Sequence, residues 1–211
     1  MVYKYIVLFF FYSVFGWLME TSCQFVVKHK VVNRGFLIGP YCPIYGTGAI
    51  IIQLFLQRYV HDLAALFVMS IVVCCILEYI ISYVMEKLFN ARWWDYSDKK
   101  FNINGRICLE TSIPFGILGT LSVYVVNPAI FNVLNKIPAN MLKYIALIIT
   151  FVILCDMAIS LNIISRFKDT AFNLREDNSE QISLKVKKEL INISKSYRRL
   201  IQSFPKLTIK K

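Results

Sequence analysis

The sequence predicts an all-α, polytopic transmembrane helical bundle of about five spans. It also predicts a broken or re-entrant second span and a C-terminal cytoplasmic amphipathic helix. Three observations carry that reading. Hydrophobic residues make up 57% of the 211 residues and charged residues 18%, with a mean hydropathy of +0.55, too little polar surface to cover a soluble domain of this size. Five stretches approach the ~20 apolar residues that a membrane helix requires: Tyr5–Val27, Phe36–Gln57, Leu63–Leu88, Ile107–Val126 and Met141–Ser165. Finally, a carboxylate deep in an apolar segment, a basic loop and a glycine leading into the next apolar segment occur twice, as Glu20 with Gly35 and Glu78 with Gly105.

Continuous apolar runs such as Phe9–Phe11 and Ile145–Ile149 exclude the alternating pattern of a membrane β-barrel. The first segment exceeds the apolar length of a signal peptide, carries Glu20 and has no small-x-small cleavage site before the basic loop, so it is expected to be retained. Its small and polar residues Ser13, Gly16, Glu20 and Gln24 recur every three or four positions and share one helix face. Ser70, Cys74, Glu78 and Ser82 do the same on the third span. Such stripes allow close helix packing, but packing does not require a carboxylate, and a buried acid in a membrane is a functional hypothesis by default. Glu86, nearer its helix end, is explained by snorkelling.

The second span opens G-F-L-I-G-P-Y-C-P-I-Y-G-T-G. Pro40 and Pro43 each remove an amide donor and disfavour helix before them. Residues Gly39–Gly46 are therefore expected to bend, unwind or re-enter, which non-helical backbone at membrane depth does only when buried in protein or lining a cavity. Tyr41 and Tyr45 lie one turn apart there, as ligand-facing hydroxyls or as part of an interfacial aromatic belt. In the loop 88–106, Trp93, Trp94, Tyr96 and Phe101 mix with Arg92, Asp95, Asp98 and Arg106. Asp95 can orient Arg92 or Arg106. Asn102 and Asn104 favour a turn before Gly105, and Arg106 at a helix start makes an anion site, as Asn33 and Arg34 do before the second span. Glu110, one turn into the fourth span, is a further candidate for binding substrate or ion, or instead pairs with Arg106 at i, i+4, a purely structural use. Aligning Gly35 with Gly105 also aligns Gly46 with Gly116, which suggests a parallel duplication. The fifth span adds Asp156, with Ser160 one turn on.

The domain boundary is set at a membrane bundle of residues 1–165, with loops 28–35 and 88–106, and a basic tail of residues 166–211. In the tail, Val186, Leu190, Ile193, Tyr197, Leu200 and Phe204 fit one amphipathic helix. Lying on anionic lipid, docking a cytoplasmic partner, or pairing with a second copy in a homo-oligomer all suit it. Of the 24 Lys and Arg, only Lys4, Arg58, Lys136 and Lys143 fall on the N-terminal side of the five-span topology. The positive-inside rule then places the N-terminus outside and the C-terminus in the cytoplasm of a multi-pass cell-membrane protein. The net charge of +11 thereby reads as a topology signal rather than a nucleic-acid-binding surface. The six cysteines form no CxxC and read as packing residues; no metal site or cofactor is expected. A P-loop and an HExxH motif are absent, and His29 and His61 fall near opposite faces, so no catalytic residue is assigned.

The stretches NRGFLIGPYCPIYGTGA and ARWWDYSDKKFNINGRICL, with Gly16-Trp17 and Glu20 before the first and Glu78 before the second, closely resemble the ABC-transporter permease family of the CmpB type, a family of bacterial membrane proteins. The resemblance covers Phe11–Gly119. It implies a channel-forming subunit served by a separate cytoplasmic ATPase. By motif matching it also implies roles for Glu20, Asn33, Arg34, Gly35, Gly39, Pro40, Pro43, Tyr45, Gly46, Glu78, Trp93, Trp94, Asp95, Tyr96, Asn104, Gly105 and Arg106. The leading expectation is a transport component with a cytoplasm-facing pocket: Glu20 and Glu78 bind a cation, proton or amine, with Arg34 and Arg106 as counter-charges. An intramembrane enzyme acting on a lipid-linked or amphipathic substrate, and a non-catalytic scaffold, are the rival readings.

Overall fold

The computed structural model describes residues 1–29, 32–173 and 184–209. Lys30 and Val31 of the first basic loop, residues 174–183 of the tail, Lys210 and Lys211 lie outside the described residues. The chain forms helices α1 (Val2–Lys28), α2 (Pro43–Phe55), α3 (Leu63–Phe89), α4 (Leu109–Leu121), α5 (Asn127–Leu134), α6 (Ala139–Asn173), α7 (Leu184–Ile193) and α8 (Lys195–Ser203). Two-residue strands β1 (Ala91–Arg92), β2 (Asn102–Ile103), β3 (Ile107–Cys108) and β4 (Thr208–Ile209) pair antiparallel as β1 with β4 and β2 with β3.

Among the described residues, four helices are long and apolar enough to cross a membrane: Val2–Val26, Leu63–Phe89, Leu109–Leu134 and Ala139–Thr170. They correspond to the first, third, fourth and fifth expected spans. The second differs. Residues 32–42 are not helical, and α2 has 13 residues, about 20 Å of helix against a hydrocarbon core of about 30 Å. Pro43 occupies the start of α2 behind an extended Cys42, which is where a residue without an N–H costs nothing. The fourth span is one apolar rod from Leu109 to Leu134, interrupted by a π-helical turn at Ser122–Val126 that resolves into Asn127-Pro128 at the start of α5. Asp62 caps α3 by accepting the Ala65 amide at 2.9 Å. Large apolar side chains stay exposed along the rods, among them Leu54, Ile76, Ile148 and Phe151, as lipid-facing surface requires.

The expected repeat has a packing counterpart. α1 packs on α2, and α3 on α4, as two antiparallel hairpins. A methyl group at Gly46 would overlap the Phe9 carbonyl oxygen and the Ser13 hydroxyl, and one at Gly116 would overlap Phe67 and Ile71. Aligning Glu20 with Glu78 sets Phe9 on Phe67 and Ser13 on Ile71. The two glycines thus touch equivalent positions of the two preceding helices.

The tail is not one continuous helix. Ser194 is extended and its hydroxyl accepts the Ser196 amide, so it ends α7 and caps α8. Much of the apolar face expected from the periodicity turns inward: Leu190, Tyr197 and Leu200 are buried with Ala91, Trp93, Ile164, Phe167 and Leu207, and Phe36, Phe89 and Phe204 pack around them, whereas Ile193 stays exposed. This cluster closes the bundle end that carries segment 32–42 and the loop 90–107; we call it the capped end.

Gly46→Ala should cost about 1–3 kcal/mol by overpacking against fixed backbone. Gly48→Ala should be neutral or stabilising, because an added Cβ there meets only Leu77 and Cys74 at ordinary contact distance. Unfolding midpoints in detergent test the contrast, and equal behaviour of the two variants would remove the close-packing argument.

Candidate functional site

Segment 32–42 is built by side chains reaching it from three directions. Gly35, at φ +106°, turns the chain where a Cβ is disfavoured. On one side Asp156 of α6 accepts the amides of Ile38 (3.0 Å) and Gly39 (2.8 Å) and the hydroxyls of Tyr41 (2.6 Å) and Ser160 (2.9 Å). From the tail, Arg199 donates to the carbonyls of Gly35 (3.4 Å), Phe36 (3.2 Å) and Leu37 (2.6 Å), and Ser203 donates to the Asn33 carbonyl at 2.5 Å. From α1, Trp17 donates to the Asn33 side chain at 2.7 Å, which in turn donates to the Ile38 carbonyl at 2.9 Å.

Arg34 joins the tail to Glu20. Its guanidinium donates to the Ser203 carbonyl, and its Nε lies 3.9 Å from Glu20 Oε2. The other carboxylate oxygen of Glu20 accepts the Tyr45 hydroxyl at 3.0 Å. Glu78 comes from α3 and is 7% exposed; its Oε1 receives the Tyr96 hydroxyl at the long distance of 3.5 Å, and its Oε2 is buried without a hydrogen-bond partner among the described residues. The two glutamates feel each other's charge, and Tyr45 and Tyr96 each feel both. Burial, and then the Glu78 charge, push the Tyr96 phenol up from its ordinary value, so it remains a hydroxyl donor. Glu20, Arg34, Tyr45, Glu78 and Tyr96 therefore form one cluster near the capped end.

The remaining expected residues support this cluster or lie apart from it. Arg106 does not face Glu78. Its guanidinium pairs with Glu86 at 2.8 Å, donates to Ser82 at 3.0 Å, and lies over the rings of Tyr79 and Tyr83. Trp94 donates to the Arg106 carbonyl at 3.0 Å, and Asn104 to the Tyr79 hydroxyl at 2.9 Å. Asn104 and Gly105 both sit at positive φ, and the Arg106 amide closes the turn onto the Ile103 carbonyl at 3.0 Å, a hairpin turn that suits Asn-Gly. Arg92 bonds the Asn104 carbonyl and lies 3.6 Å from Asp95. Tyr41 donates its hydroxyl to Asp156. Glu110 pairs with Lys99 at 2.8 Å and is largely exposed. The expected Arg106–Glu110 helix pair does not form, because α4 starts at Leu109 and Arg106 precedes it. Sequence reasoning missed the structural use of Asp156, and of Arg199 and Ser203 in the tail.

A family model described as "Putative ABC-transporter type IV", the CmpB-type family, matches residues 7–161. The chain belongs to that family. Comparison with curated proteins and with solved structures returns no match. The CmpB-type match takes in both glutamates, segment 32–42 and the loop 90–107, and ends within α6. The docked helices α7 and α8 lie beyond it.

Arg199→Ala should raise amide hydrogen exchange across residues 195–207 by about 10- to 100-fold, the equivalent of the ~1.5–3 kcal/mol carried by hydrogen bonds to a charged group. Arg199→Lys should not restore protection, because an ammonium cannot span three carbonyls; unchanged exchange in Arg199→Ala would show that the tail is held by its apolar face alone. The loop makes a separate, pH-dependent prediction through Asp95. Burial raises its pKa, but the Ser97 hydroxyl and amide, then Arg92 and Lys206, outweigh burial and hold the carboxyl below the usual range. Its stabilising contribution is then complete above pH about 4 and is lost as pH falls through the lower folded value. Tryptophan emission from the loop should change in that acid range, and Asp95→Asn should remove the step.

Proposed function

We propose that the chain is the membrane-spanning component of a transporter, with a polar pocket that opens to the cytoplasm at the capped end. The observation that carries this reading is the cluster of Glu20 and Glu78. Two carboxylates come from separate spans, Glu78 buried and Glu20 partly exposed; each receives a tyrosine hydroxyl, and Arg34 stands beside Glu20. Acids buried at membrane depth are costly and rarely kept for packing alone. Membership of an ABC-transporter-type family and four membrane-length helices support the transport setting.

In this reading the cluster binds the positively charged part of a substrate. Tyr45 and Tyr96 orient the carboxylates, and Arg34 sets the net charge. Asn33, Tyr41 and Asp156 shape the entry segment, while Trp94, Asp95, Asn104 and Arg106 build the loop that carries Tyr96. Lys and Arg are concentrated at the capped end, which supports a cytoplasmic orientation. That basic end is also the docking surface for a separate ATPase subunit.

Glu20→Gln and Glu78→Gln keep side-chain shape and remove charge. Each should abolish complementation of a strain lacking the gene while leaving the amount of protein in the membrane unchanged. Glu110→Gln, at an exposed position outside the cluster, should complement fully. Full complementation by both cluster variants would sink the pocket.

A further inference from the structure

The cluster is one positive charge short. Glu20 has Arg34 beside it, whereas Glu78 has no cation among the described residues. Arg106, the cation that the sequence offered to Glu78, is engaged by Glu86 and Ser82. Among the described residues, the groups that sense Glu78 include Glu20 from α1, Tyr45 from α2, Tyr96 from the loop, and Cys74 and Cys75 from its own helix; these are neutral or acidic. Ser112 of α4 bonds to Cys75 at 3.0 Å and supplies no charge. A carboxylate that is 7% exposed, with one oxygen unpartnered among the described residues, does not remain ionised at low cost.

The group that completes the cluster must be small. A hard metal ion such as Ca²⁺ or Mg²⁺ takes about six or more oxygen ligands. Here both phenols already donate toward the carboxylates, and among the described residues no group of three or more His, Cys, Asp or Glu could hold a metal ion. A proton needs a single oxygen, and Glu78 Oε2, without a hydrogen-bond partner among the described residues, can take it. We propose that the Glu20–Glu78 pair is a proton-binding site, holding one exchangeable proton on Glu78. This rests on the pocket reading above and names the ion that the pocket carries at rest. On release the O–H bond of the Glu78 carboxyl breaks, the bonding pair stays on the oxygen, and the proton passes to water entering the pocket. A cationic substrate arriving there replaces the lost positive charge, so its binding and proton release are coupled.

Infrared spectroscopy of the full chain in lipid nanodiscs tests this directly. At pH about 7 an ordinary glutamate is ionised, so the carbonyl-stretch band of a protonated carboxyl should be seen with the amplitude of one group and should disappear at alkaline pH. Glu78→Gln should abolish it. Glu20→Gln should weaken it at the same pH, because Glu78 then loses its like-charged neighbour and has Arg34 to itself. The amide bands of the same spectra check that both variants are folded. Absence of the band in the parent protein, or its persistence in Glu78→Gln, would overturn the proposal. So would its loss on adding sodium at constant pH, which would make the pair a metal-cation site. The two readings fail separately. If complementation is lost in the cluster variants but no band exists, the pocket stands without the proton. If the band is present while both variants complement fully, the proton stands and the transport pocket falls.

Discussion

The structure depends on satisfying the backbone of segment 32–42, which is neither helix nor strand. Buried amides and carbonyls left unpaired cost free energy, so a non-helical segment packed against the bundle needs side chains that meet its hydrogen-bonding needs. Segment 32–42 obtains this from opposite chemistries on its two sides. Asp156, an acceptor only, takes two consecutive N–H groups and a phenol. Arg199, a donor only, takes three consecutive carbonyls. The Cys42 amide donates to the Ser13 carbonyl at 2.8 Å and the Tyr41 amide to that of Gly39 at 2.9 Å. Removing either charged side chain strands the groups it serves, and the rest of the capped end is arranged to hold both in place.

This explains why the tail folds back. An amphipathic helix of basic residues and large apolar ones could lie on lipid, yet its apolar face finds Trp93, Ile164 and Phe167, and its guanidinium finds the carbonyls of residues 35–37. Lys206 extends the clamp to the Asp95 carbonyl at 3.0 Å and to Asp98 at 2.6 Å, and β4 pairs with β1. Arg34 touches Ser203 and Glu20 together. Through that side chain the tail reaches the glutamate cluster.

Four of the five expected spans, and the acids set in the first and third of them, were legible in the sequence because hydropathy and a charge in an apolar run are local signals. The Asn104-Gly105 turn was equally readable, since its chemistry lies in adjacent residues. The partners of the charges were not. Arg106 and Glu110 sit four apart, but Arg106 is already committed to the hairpin turn before the helix that would have aligned them begins at Leu109; Glu110 then takes Lys99 and Arg106 takes Glu86. Asp156 was visible as an acid in an apolar helix, but nothing near it indicated that its ligands would be backbone amides more than a hundred residues earlier. The periodicity of the tail revealed which face was apolar, yet Ser194, the residue that divides it into α7 and α8, breaks no hydrophobic pattern.

The two halves share a hairpin, a glycine contact and a glutamate, and they differ in the connection after the glutamate. In the first half a short connection returns Arg34 to Glu20. In the second, the chain makes a longer excursion through β1 and β2, and its arginine, in the turn before β3, comes back one helical turn or two past Glu78, where Ser82 and Glu86 receive it. A symmetric pair would neutralise both acids and leave a closed, structural site. The longer loop breaks that symmetry, delivers Tyr96 in place of a cation, and leaves Glu78 without a cation among the described residues. On the proposed reading, the imperfection of the repeat, and not the repeat itself, is what gives the cluster a charge to exchange.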